Sequence, residues 1–120
     1  MKKILIVEDN VLNMDLLIQL LEEKYEVITA KDGSEGLKLA VEAKPDLILM
    51  DMKLPVMNGW ETTRRIKAHD LTKHIPVIGL SSHALSSDTE KAFEMGCDDY
   101  LTKPLDDELL FEKLEQYLAD

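Results

Sequence analysis

Short apolar runs alternate along the chain with longer segments in which apolar residues recur every three or four positions. Continuous runs of leucine and β-branched residues are typical of strands that are buried on both faces. They predict five strands, at residues 3–7, 26–30, 46–50, 77–80 and 100–102. The spacing in the segments that follow predicts a helix after each strand.

Local signals mark where the predicted helices begin and end. Residues with capping preferences precede four of them, namely Asn10, Asp32, Ser87 and Asp106. Pro45 ends the second helix, and Gly96 suits the position that follows the fourth. Two helices carry leucine-rich stripes that we expect to face the core: Leu12, Leu16, Leu17, Leu20 and Leu21 in the first, and Leu109, Leu110, Leu114 and Leu118 in the last.

Strands that alternate with helices indicate an α/β fold, because parallel strands need crossover connections and these are right-handed. The pattern predicts a five-stranded, doubly wound parallel sheet with five helices, formed by residues 1–120 as one domain. No internal repeat, low-complexity tract or linker interrupts it. In open sheets of this kind, ligands bind beyond the carboxyl ends of the strands.

Composition narrows the classes of function. The chain has 120 residues and a formal net charge of -10, which repels nucleic acid phosphates and argues against nucleic acid binding. The single cysteine, Cys97, cannot form an intramolecular disulfide, so a reducing compartment is the simpler interpretation. The apolar run at residues 4–7 is too short for a signal peptide or a membrane span. We therefore expect a cytoplasmic protein without a membrane partner.

Reactive side chains gather at the predicted ends of four strands. Glu8 and Asp9 follow the first strand, Asp51 the third, Ser81 the fourth and Lys103 the fifth. Three close carboxylates repel one another, and a hard cation relieves that repulsion. Oxygen ligands with room for water suit Mg²⁺ better than zinc.

These groups also suit the transfer of a phosphoryl group. A carboxylate such as Asp51 can act as a nucleophile and form an acyl phosphate. The charge on the transferred group then has to be neutralised. Mg²⁺ can take one phosphoryl oxygen, Lys103 a second, and the Ser81 hydroxyl with a nearby backbone N–H the third. The residues alone therefore suit a magnesium-dependent phosphoryl-transfer site.

Five motifs span almost the whole chain: Val7-Glu8-Asp9-Asn10, Leu49-Met50-Asp51-Met52, Leu54-Pro55-Val56-Met57-Asn58-Gly59, Gly79-Leu80-Ser81-Ser82-His83-Ala84 and Gly96-Cys97-Asp98-Asp99-Tyr100-Leu101-Thr102-Lys103-Pro104. In this order and at this spacing they resemble the receiver domain of bacterial response regulators. The resemblance implies a flavodoxin-like fold with strand order 2-1-3-4-5. It also implies a phosphorelay switch rather than an enzyme with a free substrate. Its partners would be a histidine kinase or histidine phosphotransfer protein and a downstream protein that contacts the helix 4–strand 5–helix 5 face.

The resemblance implies a role for each residue of the site. Asp51 would accept the phosphoryl group, and Ser81 and Lys103 would bind its oxygens. Mg²⁺ would be held by Glu8, Asp9, Asp51 and the backbone carbonyl of Lys53. Ser81 and Tyr100 would form the switch, with Tyr100 turning inward when Ser81 moves towards the phosphoryl group.

Three further features follow from the same resemblance. The Lys103–Pro104 bond resembles one that is cis in the family. Lys53 and His83 would lie at the mouth of the site and control access of the water that hydrolyses the phosphoryl group. Ser81 stands where threonine is more frequent, which keeps the hydroxyl but loosens its positioning.

Two other functions stay open at this point. A phosphohydrolase with an aspartyl-phosphate intermediate places its nucleophile after the first strand and a second aspartate two residues later, but here Asp51 follows the third strand and is followed by Lys53. A flavin carrier of the flavodoxin type needs a loop rich in Ser, Thr and Gly after the first strand, where Glu8 and Asp9 would repel the flavin phosphate. We expect a single-domain regulator, and a receiver cut from a longer protein is the alternative.

Overall fold

The computed structural model describes residues 1–82 and 86–119. Within them the strands are β1 (Lys3–Val7), β2 (Glu26–Ala30), β3 (Leu47–Asp51), β4 (Val77–Ser81) and β5 (Asp99–Thr102). The helices are α1 (Val11–Leu21), α2 (Gly33–Ala43), α3 (Gly59–Ala68), α4 (Ser86–Glu94) and α5 (Asp107–Leu118). The predicted alternation is confirmed, with strand ends shifted by one residue at most. None of these helices is long and apolar enough to cross a membrane.

The strands form one parallel sheet in the order β2-β1-β3-β4-β5. Val7 at the end of β1 lies level with Ala30 of β2 on one side and with Met50 of β3 on the other. Asp51 at the end of β3 lies level with Leu80 of β4. The strands therefore end almost level at one edge of the sheet, and the loops that leave this edge build the candidate site.

The sheet is buried on both faces, which explains the continuous apolar runs. In β1, Ile4 and Ile6 point into one core, and Leu5 and Val7 point into the other. Helices α1 and α5 cover the first core, and α2, α3 and α4 cover the second. Burial of side chains of this size contributes about 1.5–3 kcal/mol each, so the two cores make the sheet a firm support for its loops.

The leucine stripes predicted for α1 and α5 are partly wrong. The residues that α1 buries are Met14, Leu17 and Leu21. Leu12 and Leu16 are instead 79% and 55% exposed, and Leu109 of α5 is 41% exposed. Apolar residues occupy much of the circumference of α1, so their spacing alone does not decide which of them face the sheet.

Side-chain caps fix the start of four helices. Asn10, Asp32, Asn58 and Asp106 each accept a hydrogen bond from the backbone N–H three residues later, at 2.8 to 3.2 Å. The Asn58 cap was not predicted, and it holds the start of α3 close to the end of β3. The prediction for Ser87 is wrong, because α4 begins at Ser86 and Ser87 already lies inside the helix. The residue before Ser86 lies outside the described residues.

Asp98 anchors the start of the short edge strand β5. Its Oδ2 accepts hydrogen bonds from the Lys67 ammonium of α3 and from the backbone N–H of Val77, both at 2.8 Å. The same ammonium donates to the carbonyl of Ile75 at 2.7 Å. The Asp98 carboxylate thus joins α3, the start of β4 and the start of β5.

Asp99 ties β5 to α5. Each of its carboxylate oxygens accepts a hydrogen bond from the Lys113 ammonium at 2.9 Å, and the Tyr117 hydroxyl donates to one of them at 3.2 Å. Burial acts to raise the pKa of Asp99, but hydrogen bonds from Lys113, from the backbone N–H of Tyr100 and from Tyr117 outweigh it and lower the pKa. These contacts stabilise the ionised carboxylate and hold the strand that carries Tyr100.

Lys113→Met should lower the free energy of unfolding at neutral pH by about 2 kcal/mol, because it removes charge-assisted hydrogen bonds to a mostly buried carboxylate. The folded pKa of Asp99 lies below its unfolded value of about 3.9. The stabilisation is therefore present above that pH and is lost as the pH falls through the folded pKa. Urea denaturation of both proteins at a series of pH values should show their difference shrinking on acidification.

Lys73→Met is the matched control for this measurement. Lys73 pairs with Asp70 at 3.6 Å, but the two side chains are 61% and 92% exposed. Exposed ion pairs contribute little, so this change should stay within about 0.5 kcal/mol. Equal losses in the two variants, or a loss in Lys113→Met that does not change with pH, would contradict the role given to Asp99.

Candidate functional site

Three carboxylates meet at the carboxyl edge of the sheet. Glu8 and Asp9 follow β1, and Asp51 is the last residue of β3. One oxygen from each lies within 4.8 Å of the others. Glu8 and Asp51 are only 1% and 6% exposed, whereas Asp9 faces solvent. The structure thus brings together the carboxylates that the predicted strand ends placed at one edge.

A lysine neutralises part of this charge. Lys103 Nζ lies 2.6 Å from Oε1 of Glu8 and 3.3 Å from Oδ2 of Asp51. The backbone N–H of Lys103 donates to the carbonyl of Ser81 at 2.7 Å, which ties the loop after β5 to the end of β4. The Lys103–Pro104 bond is cis, as the resemblance implied.

Burial and charge act in opposite directions on these groups. Burial raises the pKa of Glu8, as does the neighbouring Asp51, and Lys103 offsets only part of that rise. Burial acts to lower the pKa of Lys103, but Glu8 and Asp51 outweigh it and raise that pKa. The ammonium therefore keeps its charge, and the cluster of three acids and one base has an excess of negative charge.

The donor set fits a hard divalent cation. Glu8, Asp9 and Asp51 offer carboxylate oxygens, which Mg²⁺ prefers to nitrogen or sulfur. The backbone N–H of Lys53 donates to Oδ1 of Asp51 at 3.1 Å, so the chain after β3 turns back over the carboxylate. The exposed side of Asp9 leaves room for the water ligands that Mg²⁺ usually retains.

Gly59 allows the end of β3 and the start of α3 to lie in contact. A Cβ atom at Gly59 would clash with the carbonyl oxygen of Asp51 and with the backbone of Met52. The Gly59 N–H donates to the Met52 carbonyl at 3.0 Å. The sequence placed Gly59 in a motif but did not predict this contact. Only a residue without a side chain lets α3 approach the backbone of Asp51 so closely.

Ser81 and Tyr100, the two residues of the predicted switch, lie on neighbouring strands. Ser81 ends β4 and is 4% exposed. Tyr100 lies on β5, level with Gly79 of β4. Side chains alternate along a strand, so Ser81 and Gly79 share a face of the sheet with Tyr100.

Other residues lie at the rim of the site or further away. Lys53 has an exposed side chain beside Asp51, and His83 lies outside the described residues. His69 and His74 are exposed and belong to the loop region after α3. Trp60 of α3 is partly buried, with the Lys91 ammonium 4.3 Å from its ring centroid.

An apolar surface beside the site was not predicted. Val11, Leu12 and Leu16 of α1 are 68%, 79% and 55% exposed. A cavity of about 130 Å³ lies beside Leu16, and it is lined by Glu8, Asn13, Leu16, Leu17, Lys103, Pro104 and Leu105. Leucines on more than one face of α1 were the sequence signal for it, because a helix with one buried face needs only one apolar stripe.

Comparison with known proteins identifies relatives that match nearly the whole chain. The family profile of the response regulator receiver domain matches residues 4–115. The polar-differentiation response regulator DivK of Brucella anthropi is 43% identical over 120 residues, covering 99% of this chain and 98% of that protein.

Two solved structures have the same fold over nearly the full length. The receiver domain of the sensor histidine kinase PA1611 of Pseudomonas aeruginosa, with a magnesium ion coordinated in its active site cleft, is 34% identical with a TM-score of 0.92, covering 99% of this chain and 98% of that one. The chemotaxis protein CheY4 of Vibrio cholerae is 30% identical with a TM-score of 0.91, covering 98% of this chain and 99% of that one.

These likenesses agree with the observed architecture. The strand order 2-1-3-4-5 with five helices is the flavodoxin-like receiver fold that the motifs implied. The family profile and the relatives both cover nearly all of the sequence. The chain therefore belongs to the response regulator receiver domain family.

Proposed function

We propose that this receiver domain is a phosphoacceptor switch of a two-component phosphorelay, which takes a phosphoryl group onto Asp51 with the help of Mg²⁺. Receiver domains are signalling modules that interact with histidine kinases or phosphotransfer proteins and with downstream targets. The position of Asp51 carries the proposal. It lies buried at the end of β3, with the Lys103 ammonium 3.3 Å away and two further carboxylates in the same cluster.

In the proposed reaction, an oxygen of the Asp51 carboxylate attacks the phosphorus of a phosphohistidine. A bond forms between this oxygen and phosphorus, and the bond between phosphorus and the imidazole nitrogen of the donor breaks. Glu8, Asp9, Asp51 and the Lys53 carbonyl would hold Mg²⁺, which when bound supplies positive charge to the phosphoryl oxygens.

Two side chains of the chain itself would receive the phosphoryl group. Lys103 already contacts anionic oxygens of Glu8 and Asp51. It would exchange one of these contacts for a phosphoryl oxygen, so that the ammonium neutralises the transferred charge. Ser81 would donate its hydroxyl to another phosphoryl oxygen, forming a charge-assisted hydrogen bond.

The apolar surface of α1 suits the docking of the phosphodonor protein. α1 begins two residues after Asp9, and its exposed leucines Leu12 and Leu16 lie on the part of the helix nearest to the site. The cavity beside Leu16 extends to Lys103. Exposed apolar patches of this kind mark contact surfaces. A histidine kinase or phosphotransfer protein with an apolar helix could cover it and bring its phosphohistidine to Asp51.

The downstream target would read the face formed by α4, β5 and α5. This face carries exposed apolar side chains, Phe93 of α4 at 46% and Leu109 of α5 at 41%. The ion pair of Asp99 and Lys113 joins β5 to α5 there. A shift of Ser81 towards the phosphoryl group would change the space available to Tyr100, and so would change the surface that the target contacts.

Asp9→Ala should weaken Mg²⁺ binding by at least about tenfold, because it removes one of three carboxylate ligands. Trp60 fluorescence or calorimetry during a Mg²⁺ titration measures the affinity. Asp15→Ala is the matched control, because Asp15 is exposed and lines the same cavity of about 250 Å³ as Asp9 but is not in the three-carboxylate cluster. Wild-type affinity in Asp9→Ala would exclude this metal site.

Asp51→Asn should abolish phosphorylation by acetyl phosphate or a phosphohistidine donor, because an amide is not a nucleophile of comparable strength. Intact mass spectrometry with Mg²⁺ present would show one added phosphoryl group in the wild type and none in the variant. Asp70→Asn, at a side chain that is 92% exposed, should be labelled like the wild type. Undiminished labelling of Asp51→Asn would refute the assignment of the acceptor.

Phosphorylation, or beryllofluoride as its mimic, should shift the backbone amide NMR signals of residues 86–118 more than those of residues 12–44. The reason is that the charge change at Asp51 reaches the α4, β5 and α5 face through Ser81 and Tyr100. Tyr100→Ala should be phosphorylated normally but should couple phosphorylation to target binding less strongly. Shifts confined to the loops around Asp51 would rule out this route.

A further inference from the structure

Gly79 is a glycine in the interior of a strand whose backbone does not need one. The described residues with positive φ are Lys44, Val56 and Gly96, and Gly79 is not among them. Glycine weakens a strand interior, and it often marks a place where another group approaches closely. The neighbours of Gly79 show what that group is.

The ring of Tyr100 fills the place where a side chain of Gly79 would lie. A Cβ atom at Gly79 would be 2.9 Å from Cδ2 and 3.3 Å from Cε2 of Tyr100. It would also lie 3.3 Å from the terminal methyl carbon of Met52. Gly79 and Tyr100 are level in the β4–β5 register. The Tyr100 ring therefore reaches from β5 over the backbone of β4 at Gly79. An alanine here would require the ring to move, because an aromatic ring cannot bend away as the end of a flexible chain can.

Burial affects the hydroxyl and the ring of Tyr100 in opposite ways. The hydroxyl oxygen is buried and has no hydrogen-bond partner among the described residues. Burial raises the pKa of the Tyr100 hydroxyl, and nearby Asp88 acts in the same direction. An unsatisfied buried hydroxyl is unfavourable, while burial of the ring is favourable.

The position of β5 gives the ring an alternative. β5 is the edge strand of the sheet, and Tyr100 is only partly buried. Two χ1 rotamers are common for strand residues, and an outward rotamer of Tyr100 would return the hydroxyl to water. The inward position depends on a close fit between the ring and β4, and that fit depends on the missing side chain of Gly79.

We propose that Gly79 is a positioning residue for Tyr100: the missing side chain forms the seat that holds the ring inward beside Ser81, and the size of residue 79 sets the balance between inward and outward rings. The consequence for signalling rests on the proposed function, in which Tyr100 connects the phosphoryl site to the α4, β5 and α5 face. The seat itself does not depend on phosphorylation, so it can be tested without a phosphodonor.

The first measurement follows the ring directly. The chain has three tyrosines, so protein labelled with 3-fluorotyrosine should give three ¹⁹F NMR signals, and the Tyr100 signal is the one missing in Tyr100→Phe. In Gly79→Ala the Tyr100 signal should move towards the position of free fluorotyrosine and become more sensitive to solvent isotope. The Tyr25 and Tyr117 signals should stay in place.

The second measurement is a double-mutant cycle on stability, which separates a seat for the ring from a general need for glycine. Gly79→Ala should raise the unfolding equilibrium constant by about tenfold in the wild-type background, as overpacking does. In the Tyr100→Ala background the same substitution should be neutral or stabilising, because the space is then empty and alanine suits a strand better than glycine.

An unmoved Tyr100 signal in Gly79→Ala would overturn the proposal, and so would equal destabilisation in both backgrounds, which would assign the clash to Met52 or to the backbone. If Gly79→Ala alone does not fold, recovery of folding in the double variant supports the seat, and failure of both variants overturns it.

A third measurement connects the seat to the proposed function. Gly79→Ala should be labelled on Asp51 to the same extent as the wild type, and its response to beryllofluoride at residues 86–118 should be smaller. If the wild type is not labelled on Asp51, the proposed function is refuted. The ¹⁹F and stability results would still support the seat. An undiminished response of residues 86–118 in a protein whose ring has moved would overturn the signalling part of the seat.

Discussion

The ion pair of Lys103 with the buried carboxylates of Glu8 and Asp51 is the interaction on which the rest of the site depends. Two carboxylates buried side by side would repel each other, and a buried charge without a partner costs several kcal/mol. The ammonium that prevents this comes from the far end of the chain, 95 residues after Glu8. The acidic edge of the sheet is therefore complete only when β5 has docked on β4.

Because Lys103 follows β5, the contacts that hold β5 in place also hold the ammonium at the carboxylate cluster. Asp98 fixes the start of the strand to α3 and β4, and Asp99 fixes it to α5. Lys103 follows the strand and is tied to β4 again through the Ser81 carbonyl. A weakened anchor would loosen the ammonium and with it the charge balance of the cluster. A divalent cation bound by Glu8, Asp9 and Asp51 would balance the remaining negative charge of the cluster.

The sequence predicted the sheet, its helices and the residues at its carboxyl edge, because burial on both faces leaves a strong apolar pattern and because parallel strands end together. The sequence predicted the structure less accurately where one pattern fits more than one arrangement. The stripe containing Leu12 and Leu16 has helical spacing, but only one face of α1 packs on the sheet, and that face carries Met14. The spacing from Ser87 to Glu90 is that of a capping box, yet it occurs one residue inside α4. The contacts of Gly59 and Gly79 could not be predicted, since a glycine in a sequence does not say which neighbour fills the space it leaves.

Helix α1 carries apolar side chains both on its buried face and on its exposed side. Met14, Leu17 and Leu21 hold it on the sheet, while Val11, Leu12 and Leu16 lie in solvent at the rim of the acidic edge. Substitution of exposed side chains changes folding free energy little, usually by less than about 0.5 kcal/mol. The outer residues of α1 can therefore diverge with little effect on the stability of the core. Under the proposed docking on α1, receivers of this fold can therefore differ in the partner protein that they accept at almost no cost in stability.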